Sequence, residues 1–424
     1  MLSWRTDRRL TDKHFFYEEF PMSGAQLLFF WSQWKNRLWF YPALCSLFSV
    51  IAVLGASLVN TVVPPYVVPA IDIGMLNSLL TVIAMTMLTI STFSLSILHS
   101  TFSFTSGNAS PRATEVLVTD NKAHEAISAF IAAFIFALVA IMALGLGYYN
   151  DSGRLTLLLE IIGVLAFVIL AFLRWLRTLS LFGRLDYVVD RVEDVADAAL
   201  RDYRKDPYLG CRPGPDAAPP GTPLYAEGTG YVQDVDRGAL NALAERLGAT
   251  IHVRVRSGMR AHPALPVAVL SGAFPPDADR RRLVAEAFPL GRDRILARDP
   301  GFGLKILAEI AQRALSNNDP GTAVRAVDAA ERVLIANFRK QAAERTGQTP
   351  FPHLTLAPLH LEHAVENTFS TIIRQAPHHP EVMARLGEAL NAVADNCSGP
   401  LGDAARAQAA RMRMPEKDAA GISS

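Results

Sequence analysis

The sequence predicts an α-helical membrane protein with four transmembrane helices and a cytoplasmic α+β domain, in which a small β unit precedes a helical domain. Half of the 424 residues are hydrophobic and the mean hydropathy is +0.20, which argues against a wholly soluble chain. Only eleven Lys, Arg, Asp and Glu residues fall within residues 38–178, and the rest of the chain carries charge at an ordinary soluble density. The formal net charge of +1 argues against a nucleic-acid partner, because nucleic-acid-binding domains carry a basic excess.

Residues 1–37 form the first segment, which we expect to be cytoplasmic and partly interfacial. Ten charged residues lie in it, and no compact apolar stretch precedes the first long apolar segment. A cleavable signal peptide needs such a stretch directly after a short basic region. The sequence therefore predicts a lead-in to the membrane rather than a signal peptide.

Residues 38–178 form the predicted transmembrane domain. The four spans are expected at about 38–63, 74–100, 126–149 and 155–177. The first three contain no charged residue, and the apolar part of the fourth contains only Glu160. Each reaches or approaches the roughly 20 residues that cross about 30 Å of hydrocarbon.

The distribution of Lys and Arg predicts the orientation. Basic residues precede the first span, occur in the second connection and follow the fourth span, whereas the first connection has none. Cytoplasmic loops carry the excess of basic residues in membrane proteins. We therefore expect a multi-pass membrane protein, with the lipid bilayer as its first partner and both termini in the cytoplasm.

Hydroxyl side chains are concentrated in the second span. One helical face, defined by steps of three and four residues, carries Thr89, Thr92, Ser96, His99 and Ser103. Small polar residues of this kind favour close packing between membrane helices. The alternative is the lining of a water-filled path. Glu160 is the other intramembrane polar residue, and it lies either near the interface or at an ion or proton site.

The fourth span is expected to continue as a cytoplasmic helix through residues 179–205. Apolar residues follow heptad steps along it, at Leu181, Leu185, Val188, Val192, Val195 and Ala199. This seam packs either on the protein's own helices or between subunits, so a homo-oligomer is predicted. Residues 206–222 are rich in Pro and Gly and are predicted to be a linker with an exposed Cys211.

The small β unit is predicted at 223–272 and the helical domain at 273–414, before a polar tail at 415–424. Alternation or apolar runs predict strands at 230–235, 250–255 and 265–270, and Asp236 is expected to cap a helix between the first two. Four further helices are expected: one through 302–315, one that begins at Asp319 and Pro320, and two at about 358–376 and 379–396.

Several motifs resemble the bacterial predicted membrane proteins of domain-of-unknown-function family 2254. The matching runs are LWFYPAL at 38–44, SPR at 110–112, GYVQDVD at 230–236, FPLGRDR at 288–294, FGLKILAEIAQRAL at 302–315 and NDPGTA at 318–323. The polar or turn positions that match are Ser110, Pro111, Arg112, Gly230, Tyr231, Arg294, Asp299, Asn318, Asp319 and Pro320. The chain departs from the family's pattern in a shortened loop after Ser316. The family has no established activity, so the resemblance implies an architecture and no mechanism.

Two polar groups of the soluble part carry open alternatives. An arginine cluster with interspersed aspartates, at 277–299, is either a phosphate or anionic-lipid contact or a salt-bridged surface. Arg294, Asp299, Asn318 and Asp319 either gather as a polar site or serve capping and packing.

We predict no catalytic residues, no enzyme activity, no cofactor and no metal. His360 and His363 are spaced as zinc ligands can be, but no third ligand is evident. Serine-hydrolase elbows and phosphate loops are absent from the sequence. Two functions remain: an oligomeric channel or transporter with a cytosolic regulatory domain, or a membrane-anchored sensor or scaffold that binds a ligand or partner protein.

Overall fold

The structure is a computed structural model, and it describes residues 71–118, 121–179, 184–275, 277–339 and 349–413, with four single positions before residue 71. The predicted segment 1–37, the first predicted span (38–63) and the tail at 415–424 lie outside the described residues, apart from those four positions. The chain divides into two compact units. One comprises Met1–Thr92 and His124–Phe172, and the other comprises Phe93–Ala123 and Leu173–Ser424.

Three helices of the described chain are long and apolar enough to cross a membrane. They are α1 (Ile73–Asn108), α3 (Asn121–Gly145) and α4 (Asp151–Leu179), and a short helix α2 (Pro111–Val118) lies between the first two. These helices match the second, third and fourth predicted spans. Helix α1 is longer than the span predicted at about 74–100. Its 36 residues extend over about 54 Å at 1.5 Å per residue.

The first unit buries small and aromatic side chains of α3 and leaves large apolar side chains of α4 outside. Phe130, Phe136 and Ala140 are almost fully buried, whereas Leu159 and Ile162 are more than half exposed. An outward apolar face of this size is costly in water, at about 25 cal/mol per Å². It fits a lipid or protein environment within a membrane.

The predicted continuity of the fourth span into a cytoplasmic helix is wrong. Arg184 has an extended backbone, and a new helix, α5 (Leu185–Lys205), begins after it. The predicted apolar seam exists on α5: Val188, Val192 and Ala199 are buried within the protomer. They belong to the core that α5 shares with later helices, so these seam residues are not free for pairing between subunits.

The second unit contains two sheets. The strands are β1 (Cys211–Pro213), β2 (Gly221–Tyr225), β3 (Gly230–Val232), β4 (Ile251–Val253), β5 (Arg260–Ala261), β6 (Pro266–Ser271), β7 (Leu290–Gly291) and β8 (Phe351–Leu356). The larger sheet has the order β1-β8-β4-β6-β2, with parallel pairing of β8 to both β1 and β4. The smaller is the antiparallel sheet β5-β3-β7. The larger sheet is therefore completed by a strand far outside the predicted β unit.

The predicted linker also contributes to this sheet. Strand β1 lies within residues 206–222, and Cys211 is buried rather than exposed. Pro213 is tolerated because β1 is an edge strand, where a missing N–H group leaves no central ladder bond unmade. Burial raises the pKa of the Cys211 thiol to about 11. The Pro and Gly content thus marked an edge strand and its turns rather than a free linker.

The described part of the second unit contains seven further helices. They are α6 (Arg237–Arg246), α7 (Ala278–Ala287), α8 (Phe302–Ser316), α9 (Pro320–Phe338), α10 (Leu361–Ile373), α11 (Pro380–Asn396) and α12 (Pro400–Arg413). Helices α6 and α7 pack with the strands in one apolar cluster, and α8 to α12 belong to the larger main core. Two predicted caps are confirmed: Asp236 accepts the amide of Ala239, and Asp319 accepts that of Thr322. Buried residues of α8, α9 and α11 meet those of α5 in one apolar cluster.

Candidate functional site

The second unit contains a cleft of about 490 Å³. Its walls come from the turn at 256–259, the segment 294–301, one side of α8 and one side of α10. Gly258 makes the turn possible, because its φ of +85° lies in the left-handed region that favours glycine. A β-carbon at this position would overlap the Asp299 carboxylate, so the turn approaches the opposite wall closely.

One wall of the cleft carries an ion pair between Arg294 and Asp299, two of the family-like positions. Arg294 Nε donates to Asp299 Oδ2 over 2.7 Å, and the guanidinium lies 4.3 Å above the ring of Phe302. Asp299 is only 6% exposed, and its Oδ1 accepts the amide of Gly301. Burial raises the pKa of Asp299, and the Arg294 charge and the hydrogen bonds oppose that rise. The pair fixes the chain just before α8 begins.

Arg256 is a second, more deeply buried cation in the cleft. It donates to the carbonyl of Pro207 over 2.7 Å and to that of Ala357 over 2.6 Å. No carboxylate of the described residues lies within ion-pair distance of its guanidinium. Burial lowers the pKa of Arg256. Lys305, an exposed residue of α8, also lines the cleft, and among the described residues it too has no ion-pair partner.

Glu309 extends the cleft along α8 and forms an ion pair with Arg112, another family-like position. Arg313, one turn further along α8, donates to the carbonyl of Ser106 over 3.3 Å. Ser110 caps α2, because its hydroxyl accepts the amide of Ala113 over 3.0 Å. The serine and arginine of the SPR run therefore begin α2 and tie it to α8.

The rim of the cleft contains the residues that could hold a metal ion. His360, Glu362 and His363 each offer one ligand atom, and these atoms lie within 4.8 Å of one another. His360 Nε2 is 2.8 Å from Asp216 Oδ1, and Nδ1 is 2.7 Å from Glu362 Oε1. These hydrogen bonds raise the pKa of the His360 imidazole. Glu362, which lies between the two histidines in the sequence, is the third member of this group.

The structure does not bring the other family-like positions to the cleft. Asn318, Asp319 and Pro320 follow the C-terminal end of α8, whereas Asp299 precedes its beginning. A helix of 15 residues separates these ends by about 22 Å. Asn318 has a φ of +55°, a conformation that Asn tolerates, and Asp319 is a cap. Gly230 and Tyr231 lie on β3, so these residues serve local structure.

The predicted arginine cluster is dispersed among separate partners. Arg280 is buried over the ring of Phe274, Arg282 pairs with Glu286, and Arg298 pairs with Asp234. The salt-bridged alternative accounts for these arginines. Of the cluster, only Arg294 and Asp299 line the cleft.

The predicted polar face of α1 is exposed among the described residues. Thr89, Thr92, Ser96, His99 and Ser103 are all exposed there. The hydroxyls of Thr89 and Thr92 donate to carbonyls one turn earlier, at 2.8 and 3.1 Å. No described helix packs against this face, and the first predicted span lies outside the described residues. Buried α1 side chains, such as Leu80 and Leu98, lie on a different face.

Glu160 on α4 is half-buried in the first unit. Its Oε2 atom is inaccessible to solvent and has no hydrogen-bond partner among the described residues. A buried carboxyl oxygen without a partner is costly, so Glu160 keeps both of its alternatives, a position near the interface and an ion or proton site.

Apolar helices long enough to cross a bilayer, joined to a unit of sheets and packed helices, define a membrane protein with a substantial domain outside the apolar region. The family model described as Predicted membrane protein (DUF2254) matches residues 35–392. Because the match covers most of the chain, this protein belongs to that family.

Uncharacterized proteins of Mycobacterium tuberculosis and Mycobacterium bovis are similar to this chain. Each is 32% identical over 240 residues, which is 53% of this chain and 42% of the relative. The chain thus spans about two fifths of the length of these relatives. No solved structure matches the chain.

Two polar residues of the cleft and one beside its rim were not predicted from the sequence. Nothing in the neighbours of Arg256 indicated that it would be buried. Lys305 lies in a helix whose apolar positions dominated the pattern. Asp216 approaches His360 from the Pro-rich segment, a contact between residues 144 apart that no local signal predicts.

Proposed function

We propose that the protein is an oligomeric channel or transporter of the bacterial cytoplasmic membrane, with a cytosolic regulatory domain. The observation that carries this proposal is the exposed polar face of α1, from Thr89 to Ser103. Polar side chains on a membrane helix normally face a protein interior or a water-filled cavity, because lipid cannot satisfy them. Among the residues that the structure describes, this face contacts neither.

A homo-oligomer is the simplest environment for that face. Few spans seldom enclose a path by themselves, whereas copies arranged about an axis can bring one helix from each to the centre. The hydroxyls of Thr89 and Thr92 donate hydrogen bonds to carbonyls of their own helix. They therefore lose little hydrogen bonding where a path along this face narrows and holds few water molecules. Helix α4 then supplies an outward apolar surface for lipid.

The orientation belongs to the same proposal. Basic residues flank the predicted spans on the side of both termini, which supports a cytoplasmic location for the sheets and helices α5–α12 of the second unit. We also propose that this unit regulates and does not catalyse. Among the described residues the cleft lacks a hydroxyl or thiol nucleophile hydrogen-bonded to a base.

Flux through purified protein in liposomes tests this function. We expect potassium, sodium or proton flux above that of protein-free liposomes, and we expect Ser96→Leu to reduce it towards that background. Leu165→Phe is the control, because Leu165 is an exposed apolar residue of α4. Folded, oligomeric protein that gives no flux contradicts the proposal, as does equal flux in Ser96→Leu.

A sensor for an anionic ligand is the second candidate, and the cleft is the observation that favours it. Arg256 and Lys305 lack carboxylate partners among the described residues, so the cleft offers positive charge that its walls do not neutralise. Phosphate groups fit this chemistry, because guanidinium and ammonium groups form charge-assisted hydrogen bonds with them. The source is either a soluble phosphate compound or an anionic lipid.

Calorimetry on the full-length protein in nanodiscs tests the sensor. Inorganic phosphate and anionic-lipid nanodiscs form two arms that separate the two sources. We expect Lys305→Ala to weaken binding by about tenfold, since a hydrogen bond to a charged group contributes about 1.5 kcal/mol or more. Arg281→Ala, outside the cleft, is the control. No binding in either arm, or equal losses in both variants, contradicts the sensor.

A further inference from the structure

Three side chains at the rim of the cleft, which we call the histidine triad, are His360, Glu362 and His363. Their ligand atoms lie within 4.8 Å of one another, and His360 Nδ1 is already 2.7 Å from Glu362 Oε1. A tetrahedral zinc ion, with bonds of about 2.0–2.2 Å, holds its ligand atoms about 3.4 Å apart. Small side-chain rotations therefore let the triad share one ion.

Asp216 supplies an outer partner for one member of the triad. It lies 2.8 Å from Nε2 of His360, on the side of the ring opposite to Glu362. Metal-binding histidines almost always donate their second ring N–H to a carboxylate or carbonyl, which fixes the tautomer. With the proton on Nε2, the lone pair of Nδ1 is directed to the place where Glu362 and His363 approach.

The backbone beneath the triad is held firmly by the core. His360 is the residue before α10, and its side chain makes no capping bond, so capping does not compete for its nitrogens. Leu361 and Val365, on the same helix, are buried in the main core. Both histidines line the cleft, so a bound ion has one side facing an open space of about 490 Å³.

We propose that His360, Glu362 and His363 bind one divalent transition-metal ion of the zinc class, with a coordination position open to the cleft. Two imidazoles and a carboxylate suit zinc, cobalt or nickel, whereas magnesium and calcium prefer sites made only of oxygen. The inference goes beyond the proposed channel function and does not depend on it. A metal at this position adds a further positive charge to the cleft.

The competing interpretation is a metal-free network, in which a protonated His360 bridges Asp216 and Glu362. In that network His363 has no essential part, because its Nδ1 is 3.5 Å from Glu366 and its side chain is largely exposed. If the triad binds a metal ion, substitution of either histidine or of Asp216 lowers the same metal affinity. If the network is metal-free, the three substitutions have no such effect in common.

Cobalt titration of the full-length protein in nanodiscs, after removal of metal with a chelator, tests the site. Cobalt bound to imidazole and carboxylate ligands has visible absorption bands that report its coordination. We expect one equivalent to bind, His360→Ala and His363→Ala each to abolish the bands, and Asp216→Asn to weaken binding by about 10- to 100-fold. His378→Ala, at an exposed histidine after α10, should leave affinity unchanged.

The results that overturn the proposal are equally direct. If no cobalt or zinc binds the folded wild-type protein, or if His363→Ala binds as tightly as the wild type, the triad is not a metal site. Binding that His378→Ala weakens as much as His360→Ala indicates scattered surface histidines instead. Circular dichroism of each variant, compared with the wild type, excludes unfolding as the cause of a loss.

Discussion

Close contacts between side chains, which the sequence does not show, fix the positions of single residues in this protein. Asp299 is buried beside Arg294, and Gly258 lets the turn opposite approach that carboxylate without a β-carbon between them. His252 lies in the middle of the larger sheet, 1% exposed, with Nδ1 2.9 Å from the hydroxyl of Thr355. Gly258 therefore permits a direct test of the cleft, and His252 permits a direct test of the larger sheet.

Gly258→Ala should destabilise the protein by more than Gly248→Ala. Both glycines have positive φ, so each substitution costs about 1–2 kcal/mol of backbone strain. Only at Gly258 does the new methyl group meet another side chain, the Asp299 carboxylate, whereas Gly248 faces open space. Chemical denaturation of the two variants measures the difference. Equal losses of unfolding free energy would show that the turn does not press against Asp299.

His252 should make stability fall as the pH is lowered. Burial lowers the pKa of its imidazole, with the nearby Arg254 adding to the effect. The unfolded chain therefore binds a proton at a higher pH than the folded chain does. The neutral imidazole contributes its full stabilisation above about pH 6.5, the ordinary pKa of histidine. This stabilisation is lost as the pH falls through the lower pKa that His252 has in the folded chain.

The His252→Gln variant isolates this effect. Its melting temperature should change less between pH 7.5 and 5.5 than that of the wild type, because the variant has no imidazole to protonate at that position. His353→Gln, on the neighbouring strand, should keep the wild-type slope. A His252→Gln profile parallel to that of the wild type contradicts a buried neutral imidazole.

Whole elements are held by packing between helices distant in the sequence. Helix α5 lies against α8, and Gly303 allows the closest approach, since a β-carbon there would overlap that of Ala196. Helix α5 also pairs with α9 through Arg332, whose two nitrogens contact Glu193 at 2.7 and 2.6 Å. The predicted apolar seam thus serves the protomer's own core.

Gly303→Ala should destabilise the second unit, although alanine is the better helix former. Overpacking at a close contact costs about 1–3 kcal/mol, which exceeds the gain of about 0.5–1 kcal/mol from replacing a helical glycine. Gly387→Ala, in α11 with open space around it, should gain that smaller amount. Thermal unfolding of both variants compares the signs. Stabilisation by both substitutions would contradict the close packing of α5 on α8.

The elements that the sequence predicted are those with local signals. Helices α1, α3 and α4 follow from uncharged runs, and Asp319 before Pro320 marks the start of α9. Strand β8 was missed, because only pairing with β1 and β4, both more than 95 residues earlier, makes it a central strand. Cys211 was misplaced for the same reason. In the cleft, Arg294 and Asp299 were found by resemblance, but Arg256 required the fold.

The molecule as a whole combines helices long and apolar enough to cross a membrane with a unit of sheets and packed helices. The second unit is not confined to the C-terminal residues, since its core includes α2 and α5. A fragment that begins at residue 223 would lack both helices and strand β1. Functional tests therefore need the full chain in a lipid environment.

We propose that the polar face of α1 contacts water in the assembled protein. The rate of thiol labelling at positions on this face measures that contact. Single cysteines at Thr89 and Thr92, in a background without Cys45, Cys211 and Cys397, are treated in nanodiscs with a charged thiol reagent. Leu165→Cys and Phe167→Cys, on the exposed apolar face of α4, are the controls. Only thiols that contact water ionise and react. We expect rapid labelling at both α1 positions and very slow labelling at both α4 positions. Equally slow labelling at all four positions would show that this face of α1 does not contact water.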